Sequence, residues 1–324
     1  MIMYGFLLVI GYDALIKGAD WFVDGSSALA RNFRVPGVII GLTIVALGTS
    51  APELAVSTSA ALQGANEIAL SNVVGSNIFN LLCVLGVCAI IHAVPVEEGI
   101  LKRDFPLSIA ATVVVLLMTC SGAVLSGIFL QGKMEDKAGV VSRMTGIVLL
   151  AAFVAYIALL IYDARKHPGK EETGEVIPLW KCFLLIGVGL ILIIAGGQAV
   201  VCSAKAIAKA LGMTETLIGL TIVAVGTSLP ELVTSIVAAR KGEAGLAVGN
   251  VVGSNIFNLL FILGISSAIH PIAVNVASVY DMMILIVASI LTCAFSMKGK
   301  SIRRTEGIFM VLIYLADMVF AVMR

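Results

Sequence analysis

Residues 41–80 read GLTIVALGTSAPELAVSTSAALQGANEIALSNVVGSNIFN, and residues 219–258 read GLTIVAVGTSLPELVTSIVAARKGEAGLAVGNVVGSNIFN. Aligned without a gap, 26 of the 40 positions are identical, all at a constant offset of 178. Chance does not produce such a match, and duplication of a half-molecule does. Two copies are too few for a solenoid, whose stacked units need three or more to bury a common core.

The chain around these blocks is unusually apolar. Of its 324 residues, 60% are hydrophobic and 13% charged, against roughly 45–50% and 25% in a soluble domain. Apolar runs of about 20 residues recur from end to end, each long enough to cross a hydrocarbon core of about 30 Å. Backbone in lipid must satisfy its own hydrogen bonds, and these runs lack the alternation of a barrel strand, so helices are expected. A net charge of +1 points to no nucleic acid or acidic partner. Cys83, Cys88, Cys120, Cys182, Cys202 and Cys293 lie in or beside apolar runs with no CxxC pair and read as small buried residues. The opening MIMYGFLLVI runs on past a plausible cleavage point, so no removable signal peptide is expected.

The apolar runs and polar breaks predict an all-α membrane protein of ten transmembrane helices. These are placed near 3–30, 37–62, 67–91, 105–124, 144–162, 180–209, 215–239, 244–269, 279–297 and 306–323. The polar break ARKHPGKEETGEVIP (164–178) reads as a linker between a first five-helix repeat, 1–163, and a second, 179–324. An odd number of spans per half makes the second copy enter from the opposite side. The fold expected is therefore two inverted five-helix repeats about an axis in the membrane plane, a plan that supplies related inward-open and outward-open forms. Lys and Arg number fourteen on the face carrying Arg31, Lys102, Arg165, Arg240 and Lys298, and six on the other. The positive-inside rule then makes the first face and the linker cytoplasmic and puts both termini outside, in a multi-pass protein of the cell (inner) membrane.

Glu53 and Glu231 fall mid-span. A charge at bilayer depth costs about 2.5–3.5 kcal/mol on insertion scales, so an intramembrane carboxylate is a functional residue by default. No Lys or Arg lies deep in the surrounding spans to reduce either one to a structural ion pair. Pro52 and Pro230 lack an N–H and crowd the carbonyls of Gly48 and Gly226. With Thr49-Ser50 and Thr227-Ser228 they predict two interrupted helices whose carbonyls and hydroxyls face the site. In NVVGSNIFN, Ser76 and Asn80 share a helix face, as do Ser254 and Asn258. These four are the preferred further ligands. Asn72, Asn77, Asn250 and Asn255 lie on neighbouring faces, where interhelical hydrogen bonding is the plainer role, and Gly75 and Gly253 allow close helix approach. All donors are oxygen, which suits Ca²⁺ and the similarly sized hard cation Na⁺. Thiolate and imidazole are missing. Two carboxylates balance one Ca²⁺ or two Na⁺, a physical basis for competition at one site.

GTSAPEL and GTSLPEL, each followed by NVVGSNIFN, resemble the alpha-repeats of the sodium/calcium exchanger family within the cation/calcium exchanger superfamily, and GADWFVDGSSALA (18–30) resembles that family's first helix. The resemblance covers nearly the whole chain. It implies ten helices around four ion positions in a central diamond, with spans 1 and 6 moving against the rest. Glu53 and Glu231 would be the shared acidic ligands, with Thr49 and Thr227 carbonyls around calcium. Ala46 and Ala224 carbonyls, with Ser50, Ser228, Ser76 and Ser254, would serve sodium, and Asn80 and Asn258 would complete the middle. Potassium-dependent relatives carry Asp where Asn258 stands, which argues against potassium dependence. The short linker lacks the calcium-sensing insert of the animal plasma-membrane members.

The function expected is secondary active antiport of Ca²⁺ for Na⁺, not enzymatic catalysis, with no cofactor, no required protein partner, and a monomer sufficient. Proton/calcium antiport is the nearest alternative, followed by a gated cation channel and then an intramembrane hydrolase, for which no motif is visible. Several polar residues read more plainly. Asp13 and Lys17 form an i,i+4 pair, Asp20 and Asp24 are interfacial, His92 and His270 end spans, and Lys205 and Lys209 snorkel.

Overall fold

The computed structural model describes residues 2–64, 66–126, 133–166, 177–213, 222 and 224–323. Most of the 164–178 linker, the first part of the span expected at 215–239, and Arg324 lie outside the described residues.

The chain is mostly helical. Helix α1 covers Ile2–Phe33; α2, Gly37–Thr49, and α3, Ala51–Leu62, form one span bent by 50°, followed by α4, Glu67–Ile91. Next come α5, Phe105–Ser126, α6, Arg143–Lys166, and α7, Leu179–Ala210. The remainder is α8, Ala224–Thr227; α9, Leu229–Arg240; α10, Ala244–Ile269; α11, Val276–Met297; and α12, Arg304–Met323. Among the described residues six helices are long and apolar enough to cross a membrane, or seven if α2 and α3 count as one span.

Burial separates inner from outer helices. The most apolar stretch of α10 is 94% buried and that of α4 is 72%, against 11% for α12 and 28% for α6 and α7. On α12, Phe309, Leu312, Leu315 and Val319 are exposed. An apolar face of this kind is stable only where something other than water covers it, and a bilayer does so. The carboxylates and amides of the repeated blocks sit on or beside the inner helices.

Contacts recur at the sequence offset. Helices α1 and α7 run antiparallel along their length: a Cβ built on Gly11 would lie 3.0 Å from the Gly196 carbonyl, and one on Gly18 2.8 Å from that of Gly189. Under the offset of 178, Gly11 becomes Gly189 and Gly18 becomes Gly196, so the two contacts interchange. Gly86 of α4 likewise meets Gly307 of α12, while its counterpart Gly264 of α10 meets Gly146 of α6. Two short antiparallel ribbons follow suit: β1, Val94–Pro95, pairs with β4, Ser301–Ile302, and β2, Lys137–Val141, with β3, Ile272–Asn275. Gly253 abuts Leu42 as its small size allows, but a Cβ on Gly75 would meet no described atom. The counterpart of Leu42 is Leu220, outside the described residues.

Charges expected to be merely interfacial are more engaged than that. Lys241, just past α9, binds Asp24 at 2.7 Å and Asp20 at 3.3 Å, and Arg31 approaches Glu243 at 3.4 Å, tying α1 to the α9–α10 turn. Asp13 and Lys17 pair at 2.9 Å as their spacing predicts. His92 and His270 are exposed at helix ends.

Gly18→Ala is therefore expected to destabilise, because its Cβ would meet backbone that cannot rotate away. Overpacking of this kind costs about 1–3 kcal/mol, whereas Gly187→Ala, with no atom within 4 Å, should be neutral or stabilising through helix propensity. Thermal unfolding of both variants in detergent distinguishes them, and equal melting would contradict the packing argument.

Candidate ion-binding site

Two helix breaks build the site. Ser50 (φ −83°, ψ 9°) and Ser228 (φ −93°, ψ 9°) leave helical geometry between α2 and α3 and between α8 and α9. The helix restarts immediately, with Leu54 N–H donating to the Ser50 carbonyl and Leu232 N–H to that of Ser228, each at 3.1 Å. Pro52 and Pro230 occupy the first turn of α3 and α9, where a missing N–H costs nothing to the new helix but leaves the Gly48 and Gly226 carbonyls without their usual donors. The interruptions expected from sequence are present.

A serine at such a position normally caps its own helix, and Ser-x-x-Glu is the spacing of a capping box. Here neither serine side chain caps. Each reaches into the other copy of the repeat instead: Ser50 Oγ donates to Glu231 Oε1 at 2.7 Å, and Ser228 Oγ lies 2.9 Å from Glu53 Oε1. Ser76 also approaches Glu53 Oε1 at 3.4 Å and Ser228 Oγ at 2.9 Å. Both carboxylates are completely buried, and no ion pair reaches either among the described residues.

The asparagines divide by task. Asn77 and Asn255 exchange hydrogen bonds, each Nδ2 donating to the other's backbone carbonyl at 3.1 and 3.2 Å. Asn80 Nδ2 donates to Asn255 Oδ1 at 3.2 Å, and Asn258 Nδ2 to Asn77 Oδ1 at 2.9 Å. Asn72 ties α4 to the glutamate helix α3 through Ser57 Oγ at 3.0 Å and the Glu53 carbonyl at 3.3 Å. Asn250 repeats this with Ser235 at 2.9 Å and the Glu231 carbonyl at 3.4 Å, and its Oδ1 receives the Thr49 hydroxyl at 2.9 Å. Sequence reasoning passed over Ser57 and Ser235, although they are identical at the offset of 178; that identity was the available signal.

What remains unsatisfied is informative. Glu53 Oε2, Glu231 Oε2, Asn80 Oδ1, Asn258 Oδ1 and Ser254 Oγ are buried with no hydrogen-bond partner. An unpaired buried acceptor costs about 1–3 kcal/mol, more if charged, so four orphaned acceptors in two repeat-related pairs call for a ligand. Each asparagine spends its amide on the neighbouring copy and leaves its oxygen free. The set is all oxygen, and no cluster of three His, Cys, Asp or Glu side chains occurs among the described residues. Hard cations fit this chemistry.

Of the other residues expected here, buried Ala46 and Thr49 precede the Ser50 break. Their counterparts Ala224 and Thr227 begin and end α8, and Thr227 is half-buried. The Ala46 carbonyl already accepts from Ser50 N–H at 3.0 Å and lies 3.4 Å from the Thr49 hydroxyl. Two features were not legible beforehand: single wide, π-helical turns at Phe79–Val84 of α4 and Phe257–Ile262 of α10, each beginning one residue before the free-oxygen asparagine. Such turns are frequent at functional sites.

Asn77→Ala should remove the side-chain donor to the Asn255 carbonyl and leave the Asn258 amide only Ser76 Oγ at 3.3 Å, and destabilise by about 1–3 kcal/mol. In a double-mutant cycle with Asn255→Ala, a coupling of about 0.5–3 kcal/mol is expected for residues in one network. Additive losses in thermal unfolding would show that the two asparagines act independently.

The chain matches the family model described as sodium/calcium exchanger protein over residues 3–162 and 181–323. It is 37% identical over 97% of its length, and 97% of the relative's, to an Alkalimonas amylolytica protein carrying the provisional name antiporter CaxA. It is 32% identical to the sodium/calcium exchanger MaX1 of Methanosarcina acetivorans, over 98% of this chain and 99% of that one. Among solved structures, the sodium-calcium exchanger NCX_Mj superimposes with a TM-score of 0.81 at 30% identity, covering 98% of this chain and 99% of that one.

Proposed function

The chain belongs to the sodium/calcium exchanger protein family, and from that premise we propose that it is a secondary antiporter exchanging Ca²⁺ for Na⁺ by alternating access at the Glu53–Glu231 site. The observation that carries this reading is the pair of buried carboxylates with no cationic partner among the described residues, each keeping one orphaned oxygen. In a membrane interior an unpaired buried charge is strongly unfavourable, and a transported cation would supply the missing partner.

In the proposed arrangement Glu53 and Glu231 are shared ligands and Thr49 and Thr227 carbonyls border the calcium position. Ala46 and Ala224 carbonyls, with the hydroxyls of Ser50, Ser228, Ser76 and Ser254, serve sodium, and Asn80 and Asn258 supply amide oxygens at the centre. The geometry supports this through the free Oδ1 atoms of both asparagines and the free Oγ of Ser254. Ten spans in two inverted halves, 1–163 and 179–324, are supported by the antiparallel α1–α7 pair and by contacts that interchange under the repeat. The excess of Lys and Arg on one face supports a cytoplasmic linker with both termini outside. No cofactor is required, and a monomer contains the whole site. Asn258, uncharged, favours an exchanger independent of potassium.

Uptake of calcium-45 into proteoliposomes loaded with sodium tests the proposal. Uptake should require internal sodium, be indifferent to potassium, and fall more than about a hundredfold in Glu53→Gln and in Glu231→Gln, the scale of losing a buried charge interaction of about 3–5 kcal/mol. Uptake driven by a proton gradient with sodium irrelevant would overturn the sodium assignment. A large single-channel conductance would overturn antiport.

A further inference from the structure

An apolar groove of about 810 Å³ opens on the outer surface between the α1–α2 corner and α6. From α2 it is lined by Ile40, Thr43, Ile44 and Leu47, and from α6 by Phe153, Ile157 and Ile161. The one hydroxyl in those walls is already satisfied, since Thr43 donates to its own Ile39 carbonyl at 2.6 Å. The groove thus makes no polar demand along its length. Its mouth is different: Arg34 and Arg165 stand there, both exposed, and among the described residues neither guanidinium has a carboxylate partner.

Three observations fix the occupant. Twelve residues of α6 separate Phe153 from Arg165, which at 1.5 Å per residue is about 18 Å, close to one leaflet of a hydrocarbon core about 30 Å thick. The groove therefore runs from the headgroup level towards the midplane. The second is charge: two guanidiniums at the headgroup end, unpaired among the described residues, complement an anion, and basic pockets between transmembrane helices bind anionic lipid headgroups. The third is backbone. The α1 helix ends with Val35 N–H donating to the Ala30 carbonyl at 2.9 Å and Arg34 N–H to that of Arg31 at 3.1 Å, a Schellman closure whose left-handed residue is usually glycine. Arg34 holds that position at φ 52°, a region that side-chain-bearing residues disfavour. A closure that glycine would make more easily carries an arginine instead, and its side chain is at the groove mouth.

We propose that this groove is a binding site for one anionic phospholipid of the leaflet that meets the Arg34–Arg165 end, its acyl chain between α2 and α6 and its phosphate on the two guanidiniums. The deep end touches the transport machinery. Leu47 lies between Ala46 and Gly48 on the segment leading to the Ser50 break, and the Phe153 ring packs on Phe257 and Phe261 of the wide turn in α10, with centroids 5.7 and 5.1 Å apart. A seated lipid therefore touches the first copy of the site through Leu47 and reaches the second only through the Phe153 ring. The inference rests on membrane embedding and not on which cations are exchanged.

Native mass spectrometry of the full-length protein, released from bilayers of equal phosphatidylglycerol and phosphatidylcholine with matched chains, tests it. The wild type should retain phosphatidylglycerol over phosphatidylcholine by about tenfold, the scale of two basic side chains at an anionic interface. Arg34→Gln/Arg165→Gln should bring the ratio near one while still retaining lipid, and Ala164→Trp, which fills the groove, should remove the tightly held lipid of either kind. Lys298→Gln/Arg303→Gln, away from the groove, should keep the preference. Equal retention of the two lipids by the wild type would overturn the proposal. So would a preference that survives in the double arginine variant, or one equally lost in the control. Displacement by free glycerol phosphate would also overturn it, since the site would then read a phosphate and not a lipid.

Discussion

Two carboxylates enclosed at the centre of a membrane protein, with no cationic partner among the described residues, are the constraint around which the rest is organised. Burying an uncompensated charge is among the most costly acts in a fold, and the buried serines and asparagines of the two repeated blocks bear on it. Ser50 and Ser228 donate to the carboxylates across the repeat, Ser76 adds a third hydroxyl, and Asn72 and Asn250 fasten the helices that carry them. Among the described residues none offers the glutamates a full positive charge. The fold solvates its glutamates only partly, leaving Oε2 of each without a hydrogen-bond partner.

Partial solvation requires irregular backbone, and irregular backbone at this depth has to be shielded from lipid. The arrangement of helices follows from this need. The most buried helices, α4 and α10, carry the asparagines and the wide turns, while α6, α7 and α12 present apolar faces outward. Close approach of α1 and α7 through glycine backbones packs the two long helices against each other along their length, and Lys241 on Asp20 and Asp24 ties α1 to the end of α9. Packing at the periphery and polarity at the centre are two consequences of the same requirement.

Much of this was legible in the sequence because duplication writes each functional residue twice. Glu53 and Glu231 stood out as unpaired mid-span charges, the proline-linked breaks followed from the missing N–H, and helix positions followed from apolar runs. What was hidden has a common cause: it depends on which copy a side chain faces. The Ser-x-x-Glu spacing is that of a local cap, yet the hydroxyl serves the opposite carboxylate, and no one-dimensional pattern distinguishes the two. The same holds for Asn77 and Asn255, whose identity signals importance without revealing that each binds the other's backbone. The wide turns leave no compositional trace, since Phe-Asn-Leu-Leu would sit equally well in a regular helix. Asp20 and Asp24 read as interfacial because their partner, Lys241, is over 200 residues away in sequence.

The choice of serine and asparagine over lysine or arginine as partners for the glutamates has a physical consequence for reversible binding. A basic side chain would neutralise a carboxylate permanently, and an arriving cation would have to displace it and leave it buried and unpaired. A hydroxyl donates one hydrogen and keeps lone pairs, so Ser50 and Ser228 can go on donating to Glu231 and Glu53 while offering oxygen to a metal ion. The asparagines achieve the same separation, the amide nitrogens holding the two copies together and the Oδ1 atoms of Asn80 and Asn258 remaining unclaimed. The scaffold's hydrogen bonds are thus compatible with both a filled and an empty site. Because the serine donors come from the opposite copy, a shift of one copy against the other would change the hydrogen bonds reaching both carboxylates at once.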